Sequence, residues 1–590
     1  MGTEKIVDMV ELELRGGQNE ITDAEKQVGT ELPETSAPID SDSRPEVFSS
    51  TFEEIVCVLL LTLAPAMNAA NQGALQLALP HVSEAFNVNG SALSWTITSY
   101  SLVTGSTMLI MARLADIIGR RRVLIFAFGW YAVLSLIQGF MKHAIVFDVM
   151  RGLQAFGGAA GPSSAVGILG VIYPAGKRKN RAMATFASGA PIGFVMGIVL
   201  AGICIQFISW RAILFFFAIM YGVVTVIIIF VLPSDRAAFE HSNKMTIANG
   251  GAPNRTTPPD RKEQIEMLKN LDYVGVVLSF VGLALFMFAL ANSGGAPHGW
   301  RTPYIIALLI VGVAIICVFV FWESRASNAL MPMFIWKFPG FALCMVLVVC
   351  GWMNFSGVLM YFASLSFQHV RGYSALHTTA AFLPQCITGI LVNVFAAFTM
   401  HNISGRILMI TAMCGFFIAA LLWALQPLNV TYWAFSFPAL CVSVVGADLA
   451  YNVGNQFSLS TVPPHLKSTA AGIFNVMTQL AQSIGIAAST AIVTSQIGDD
   501  IEGQSREILH KGYRSAYYFA LGVASFGLVC SFFSKVGTQG SKTDSDNARQ
   551  LLDRKEEAHP TSTNAGSITN GAEGANAEED NTGEVHEEQR

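Results

Sequence analysis

Fourteen mostly apolar runs of about 20 residues lie between Ile55 and Phe533, and they leave this chain few folds to choose from. A helix of that length rises about 30 Å, the thickness of a bilayer's hydrocarbon core. No water reaches that core, so each backbone N–H and C=O must be bonded internally, which a single apolar run achieves as a helix. Approximate limits are 55–79, 94–115, 122–141, 145–172, 183–206, 211–232, 271–292, 303–322, 341–364, 376–399, 405–425, 431–457, 468–496 and 514–534. A soluble fold would need more polar surface, since 13% of residues are charged, against about 25% in globular domains. The expected fold class is an all-α polytopic membrane protein. All nine cysteines fall inside apolar runs with no pair at ligand spacing, so neither a disulfide framework nor a metal site is expected.

Lysine and arginine set the orientation. With both termini in the cytosol, the inner loops hold Arg113, Arg120, Arg121 and Arg122, then Lys177, Arg178, Lys179 and Arg181. The longest inner loop adds Arg236, Lys244, Arg255, Arg261, Lys262 and Lys269, whereas the outer loops hold only scattered charges. The chain then divides into a cytosolic tail (1–54), a six-helix bundle (55–232), a cytosolic linker (233–270), two inserted helices (271–322), a second six-helix bundle (341–534) and a second cytosolic tail (535–590). Both tails are polar and read as disordered. No cleavable signal is expected, which leaves the first membrane helix as the targeting signal. The net charge of −5 sits largely in the tails and points to no nucleic-acid partner. Two sequons, at Asn89 and Asn429, fall on the outer side as candidate glycosylation sites.

Between the second and third helices stands Ala112-Arg113-Leu114-Ala115-Asp116-Ile117-Ile118-Gly119-Arg120-Arg121-Arg122. Gly119 permits a tight turn. Asp116 can pair with an arginine, while Arg120 and Arg121 can hold helix ends, whose exposed carbonyls carry partial negative charge. Two readings fit: an inner gate made by Asp116, Gly119, Arg120 and Arg121, or arginines that only set topology. Topology alone requires neither the aspartate nor the glycine. Ser404-Gly405-Arg406 stands where a second copy of this turn would fall, which suggests an internal repeat.

The second helix opens Trp95-Thr96-Ile97-Thr98-Ser99-Tyr100, the fourth carries Arg151-Gly152-Leu153-Gln154, and the seventh opens Leu271-Asp272-Tyr273-Val274-Gly275. With the Asp116 turn and the fourteen spans, these make the chain resemble the fourteen-helix drug:proton antiporter branch of the major facilitator superfamily over residues 55–534. Asn71-Gln72-Gly73, Gln76 and Ser209-Trp210-Arg211 make it similar, within that branch, to fungal aminotriazole-resistance and boron-exporter proteins. The resemblance implies two bundles rocking about a central cavity, a proton gradient rather than a cofactor as energy source, and proton coupling through Arg151. Three positions depart from the pattern: Ala112 replaces a glycine, Ile198 stands where the fifth-helix stripe has a proline, and Asn71 replaces an aspartate. An amide cannot titrate.

Arg151 lies about one turn into the fourth helix, where a charge must find a partner, face water or snorkel outward. Asp148 is a candidate i, i+3 partner, and Gln154 shares the face as a cavity candidate. Asn68, Asn71, Gln72 and Gln76 recur every three or four residues on the first helix, as do Asn475, Gln479 and Gln482 on the thirteenth. Such stripes line a substrate cavity or bond neighbouring helices, and both readings fit. Asp448 is the one carboxylate placed well inside a span; it either carries a proton or bonds a neighbour such as Tyr451. Gly189, Gly193 and Gly197 form a small-residue stripe for close helix packing.

The expected function is proton-driven export of small toxic compounds, drugs, metabolites or weak acids by alternating access. The alternatives are an importer or facilitator of a small polar solute such as ammonium, and a non-transporting membrane sensor. No catalytic constellation or phosphate loop is found, so an enzyme is not expected. Expected partners are a small-molecule substrate and the lipid bilayer, with the protein a monomer in the plasma membrane, the vacuolar membrane being the alternative.

Overall fold

The computed structural model describes residues 44–536 except 89, 174–176, 249–260, 294–295, 297, 327–330, 332, 401–402, 463–465, 499–503 and 535. Six helices build the first bundle: α1 (Thr51–Phe86), α2 (Gly90–Ile118), α3 (Arg120–Gly139), α4 (Ala144–Ile172), α5 (Lys177–Phe207) and α6 (Trp210–Val231). Their ends follow local chemistry. The Ser50 hydroxyl accepts the Glu53 N–H at 3.1 Å while the Glu53 carboxylate accepts the Ser49 N–H at 2.9 Å, fixing the start of α1. Asn87, at φ 52°, turns the chain left-handed and ends it.

The stretch read as a linker contains two polar helices, α7 (Asp235–Ala248) and α8 (Arg261–Lys269). They pack against the Arg-rich ends of the bundle, α7 on α3 and α4, and α8 on α2. Next comes the inserted hairpin, α9 (Tyr273–Asn292) and α10 (Pro303–Glu323). The Asp272 carboxylate caps α9 by accepting the Gly275 N–H at 2.8 Å, and it also accepts the Trp322 indole N–H at 2.9 Å from the far end of α10. Only 11% of the apolar window of α10 is buried, so this helix faces lipid.

The second bundle comprises α11 (Phe341–Val370), α12 (Ala375–Thr399), α13 (Gly405–Leu425), α14 (Ser436–Ser460), α15 (Lys467–Ile497) and α16 (Arg506–Ser531). Two stretches of α11, Met353–Leu359 and Ser366–Val370, widen into π turns. Among the described residues, thirteen helices are long and apolar enough to cross a bilayer. The fourteenth expected span corresponds to α16, whose first turns carry Arg506, Glu507, Lys511 and Arg514 and dilute its apolar character.

Two seams join the bundles, α2 with α15 and α5 with α12. The inserted α9 covers the first seam. Phe288 meets Trp95 of α2 at 5.5 Å between ring centres, and Met287 is buried with Leu102, Val476 and Leu480. The hairpin therefore touches both bundles rather than one.

Candidate functional site

The Arg-rich turn is a clasp that gathers five helices, four of the first bundle and α7. Asp116 accepts from Arg120 Nε at 2.9 Å and Nη2 at 2.7 Å, and Arg120 Nη1 donates to the Gly167 carbonyl on α4 at 2.7 Å. Arg121 donates its backbone N–H to Asp235 Oδ1 at 2.8 Å and its side chain to the Ile229 carbonyl near the end of α6 at 2.5 Å. Gly119 holds φ +117°, and a Cβ there would lie 2.5 Å from Asp235 Oδ2. Only glycine fits that backbone and that space. All these partners belong to the first bundle and to α7. The second bundle repeats one element of the arrangement: Arg406 at the start of α13 donates to the Phe532 carbonyl just past α16, as Arg121 at the start of α3 does toward α6.

Arg151 is fully buried and does not snorkel. Its Nη1 donates to Asn71 Oδ1 at 2.5 Å and Gln154 Oε1 at 2.8 Å, its Nε to the Thr96 carbonyl at 3.3 Å, and its guanidinium sits 4.6 Å over the Tyr100 ring. Gln154 in turn donates to Ser135 at 2.7 Å. Among the described residues no carboxylate lies within 4 Å. Asp148 instead accepts from Thr96 Oγ1 at 3.2 Å, so the i, i+3 ion pair does not form. Arg151 Nη2 and Asn71 Nδ2 are buried without hydrogen-bond partners. The hydrogen bonds of this permanent charge all go to neutral acceptors, because position 71 holds an amide, while Asp148 acts on it only through space.

The first-helix amides therefore divide. Asn68 and Asn71 turn into the first bundle, Asn68 Oδ1 accepting from the Tyr100 hydroxyl, which also meets Tyr131. A cavity of about 10 Å³ beside Asn68 and Tyr131 holds at most one water. Gln72 is half-buried, and Gln76 lies buried at the joint between bundles. There Ser364 Oγ donates to the Gln76 carbonyl at 2.9 Å, and Gln368 Nε2 to the Leu77 carbonyl at 3.0 Å. Thr379 of α12 donates to the Ile198 carbonyl of α5 at 3.3 Å. Around Gly73, Gln76, Phe194, Ser364 and Phe382 no space is left for a water, so the bundles are closed at the end opposite the Arg-rich turn. On α15, Asn475 bonds its own Ala471 carbonyl at 2.9 Å, while Gln479 lies at the α2–α15 seam near Gly105. Asn71 thus meets Arg151 of α4, whereas Gln479 meets α2.

The glycine stripe faces α1. Cβ atoms on Gly189, Gly193 and Gly197 would come within 2.5, 1.9 and 2.1 Å of the carbonyl oxygens of Thr62, Ala66 and Ala70. Asp448 is half-buried on α14 against α12, with Gly389 and Asn393 beside it, and its Oδ2 is buried with no hydrogen-bond partner. Asn393 is fixed by Asn452, whose Nδ2 donates to its Oδ1 at 2.9 Å.

Sequence reading missed Asp235, Thr96 and Asn393. Asp235 had a signal: an acid opening a polar helix straight after a membrane span, opposite in sign to the Arg-rich turn. Thr96 and Asn393 had none, since their partners lie 52 to 59 positions away. It also missed an ion pair between Glu54 and Arg178, which Tyr173 reinforces at 2.9 Å. In α7, His241 is buried beneath α4, and burial pushes its imidazole pKa down, opposed by the Ile172 carbonyl. Asn429 is exposed in the turn between α13 and α14, while Asn89 lies outside the described residues.

The family model described as Major Facilitator Superfamily matches residues 61–291 and 269–486. The chain is similar to the low affinity ammonium transporter of Saccharomyces cerevisiae, 30% identical over 82% of this chain and 89% of that protein. It is 26% identical to efflux pump terJ of Aspergillus terreus over 89% of this chain and 95% of the relative. The aminotriazole resistance protein of S. cerevisiae is likewise 26% identical, over 84% and 86%. A membrane-embedded pair of helix bundles, the Asp116 clasp and these matches together make the chain an integral membrane protein that belongs to the major facilitator superfamily of transporters.

Proposed function

We propose that this transporter exports small toxic compounds, drugs, metabolites or weak acids in exchange for protons, by alternating access, with its Arg-rich face in the cytosol of a plasma-membrane-resident protein. The observation that carries this reading is Asp448, a carboxylate inside α14 with one oxygen buried and unpaired. Such a group takes up and releases a proton as its surroundings open and close. The buried charge of Arg151, hydrogen-bonded only by neutral groups, supports a coupling role in the first bundle. Closure at the α1–α11 and α5–α12 contacts supports a resting state shut on the outer side, and the Asp116–Arg120–Arg121 clasp braces the inner ends of the first bundle. The names of efflux pump terJ and the aminotriazole resistance protein support export.

A second reading, import of a small polar solute such as ammonium, is favoured by the 30% identity to the low affinity ammonium transporter. Flux in proteoliposomes under an imposed pH gradient separates the two. Borate, ammonium and amphipathic toxins form the panel. Export by exchange requires substrate to move opposite to the proton gradient and to stop when an uncoupler collapses it. Flux that ignores the gradient overturns the proton-exchange reading.

A further inference from the structure

Two outer arginines that lie far apart in the sequence meet at one turn of the fold. The chain leaves α11 at Arg371 and turns left-handed at Gly372, where φ is +66°. A Cβ on Gly372 would lie 3.4 Å from Nη2 of Arg506, the first residue of α16. The tip of Arg506 therefore rests on the turn that carries Arg371. His510 follows Arg506 by one turn on the same face of α16, and Arg371 lies close enough to act on it. Burial pushes the His510 imidazole pKa down, the Gln426 carbonyl opposes, and Arg514 and Arg371 add to the fall.

We infer that Arg371 and Arg506 together bind one tetrahedral oxyanion, of the sulfate or phosphate kind, on the outer side of the second bundle. The site stands apart from proton exchange and goes beyond it. Arg371 is half-buried, and its Nη2 is buried with no hydrogen-bond partner. Among the described residues neither arginine forms an ion pair. A buried guanidinium N–H without an acceptor is costly, and a second guanidinium beside it adds repulsion. Their basic neighbours on α16 are engaged elsewhere. Arg514 donates to the Ala424 carbonyl and the Tyr518 hydroxyl, each at 2.9 Å, and His510 meets the Gln426 carbonyl at 3.0 Å. Glu507 is exposed on α16 and pairs with neither arginine, while Asp499, Asp500 and Glu502 lie outside the described residues. Two planar forks match the oxygens of a tetrahedral oxyanion, and two positive charges balance a dianion. A free ion and a lipid phosphate offer the same oxygens. Either one, bound there, joins the end of α11 to the start of α16. The joined end lies beside Gln368, whose bond to the Leu77 carbonyl helps close the outer joint.

The test is equilibrium binding of radiolabelled sulfate to the purified full chain in phospholipid-free maltoside micelles, with sodium chloride holding the ionic strength. Saturable binding is expected despite the excess of chloride, which offers a fork no pair of oxygens. Arg371→Gln and Arg506→Gln should each weaken it about tenfold. Arg371→Lys should recover only part of the affinity, since an ammonium keeps the charge without the fork. Arg301→Gln, at an exposed outer arginine of the inserted hairpin, should leave binding unchanged. Arg506 is exposed, so its replacement leaves the fold intact, and unchanged binding in that variant overturns the proposal. Absence of saturable binding in the unmodified protein does the same. Added phosphatidylglycerol separates the two sources: competition with sulfate assigns the place to a lipid phosphate, and undiminished binding assigns it to the free ion, each supporting the site. Sulfate binding seen only after Asp499→Asn, Asp500→Asn and Glu502→Gln are combined would mean that the chain's own acids fill the place, and would overturn it.

Discussion

Gly119→Ala tests the clasp most sharply, because two costs can be read from one position. The backbone at φ +117° is a glycine conformation, and an alanine there costs about 1–3 kcal/mol. Its Cβ would sit 2.5 Å from Asp235 Oδ2. Relieving that contact pushes the carboxylate away from the Arg121 N–H it now accepts at 2.8 Å. A hydrogen bond to a charged group contributes about 1.5–3 kcal/mol, so the full loss is roughly 2.5–6 kcal/mol. Asp235→Ala loses the second part only. In the double variant the clash has no partner and the bond is already gone, so Asp235→Ala should cost almost nothing in the Gly119→Ala background. Reversible unfolding of the four proteins in mixed micelles gives the cycle. Additive losses would refute the account, since they would mean that Asp235 and Gly119 act independently.

Other consequences follow from the same geometry. Gly193→Ala places a Cβ 1.9 Å from the Ala66 carbonyl oxygen, so α1 and α5 must part by about 1 Å; a loss of roughly 1–3 kcal/mol or more is expected in the same unfolding assay. Arg151→Met removes a buried charge that only neutral groups satisfy, so the folded yield and melting temperature should hold or rise while pH-driven flux disappears; a variant that melts much earlier would make the arginine a structural post. His241 has a lowered pKa, so its contribution to docking α7 is complete above about pH 6.5 and is lost as pH falls through the lowered value. Amide protection factors in α7, taken relative to the intrinsic exchange rate at each pH, should fall at pH 5 relative to pH 7, and His241→Leu should abolish that difference.

The helices were legible because the bilayer imposes a length, and about 20 apolar residues are hard to read otherwise. α16 shows the limit of that rule: Arg506, Lys511 and Arg514 extend the helix before its apolar part begins. The clasp was half legible. Asp116, Gly119 and the arginines announce a charged turn by their spacing, yet periodicity cannot say that Arg120 reaches Gly167 or that Asp235 waits beyond α6. The amide stripe on α1 shows the same gap. Spacing of three or four puts Asn68 and Asn71 on one face, but whether that face meets solvent or Tyr100 and Arg151 depends on helices far along the chain. Asp448 was found from its charge alone, while Arg371 and Arg506 looked like scattered outer charges until the turn at Gly372 brought them together.

Alternating access is tested most directly at the α5–α12 contact, where Thr379 donates to the Ile198 carbonyl at 3.3 Å. Cysteines at positions 198 and 379, in a background freed of the nine native ones, can be cross-linked in reconstituted vesicles and released with reductant. The account predicts that the cross-linked protein, still folded, loses gradient-driven flux and recovers it on reduction. Flux that continues at the unlinked rate through a locked seam would contradict it.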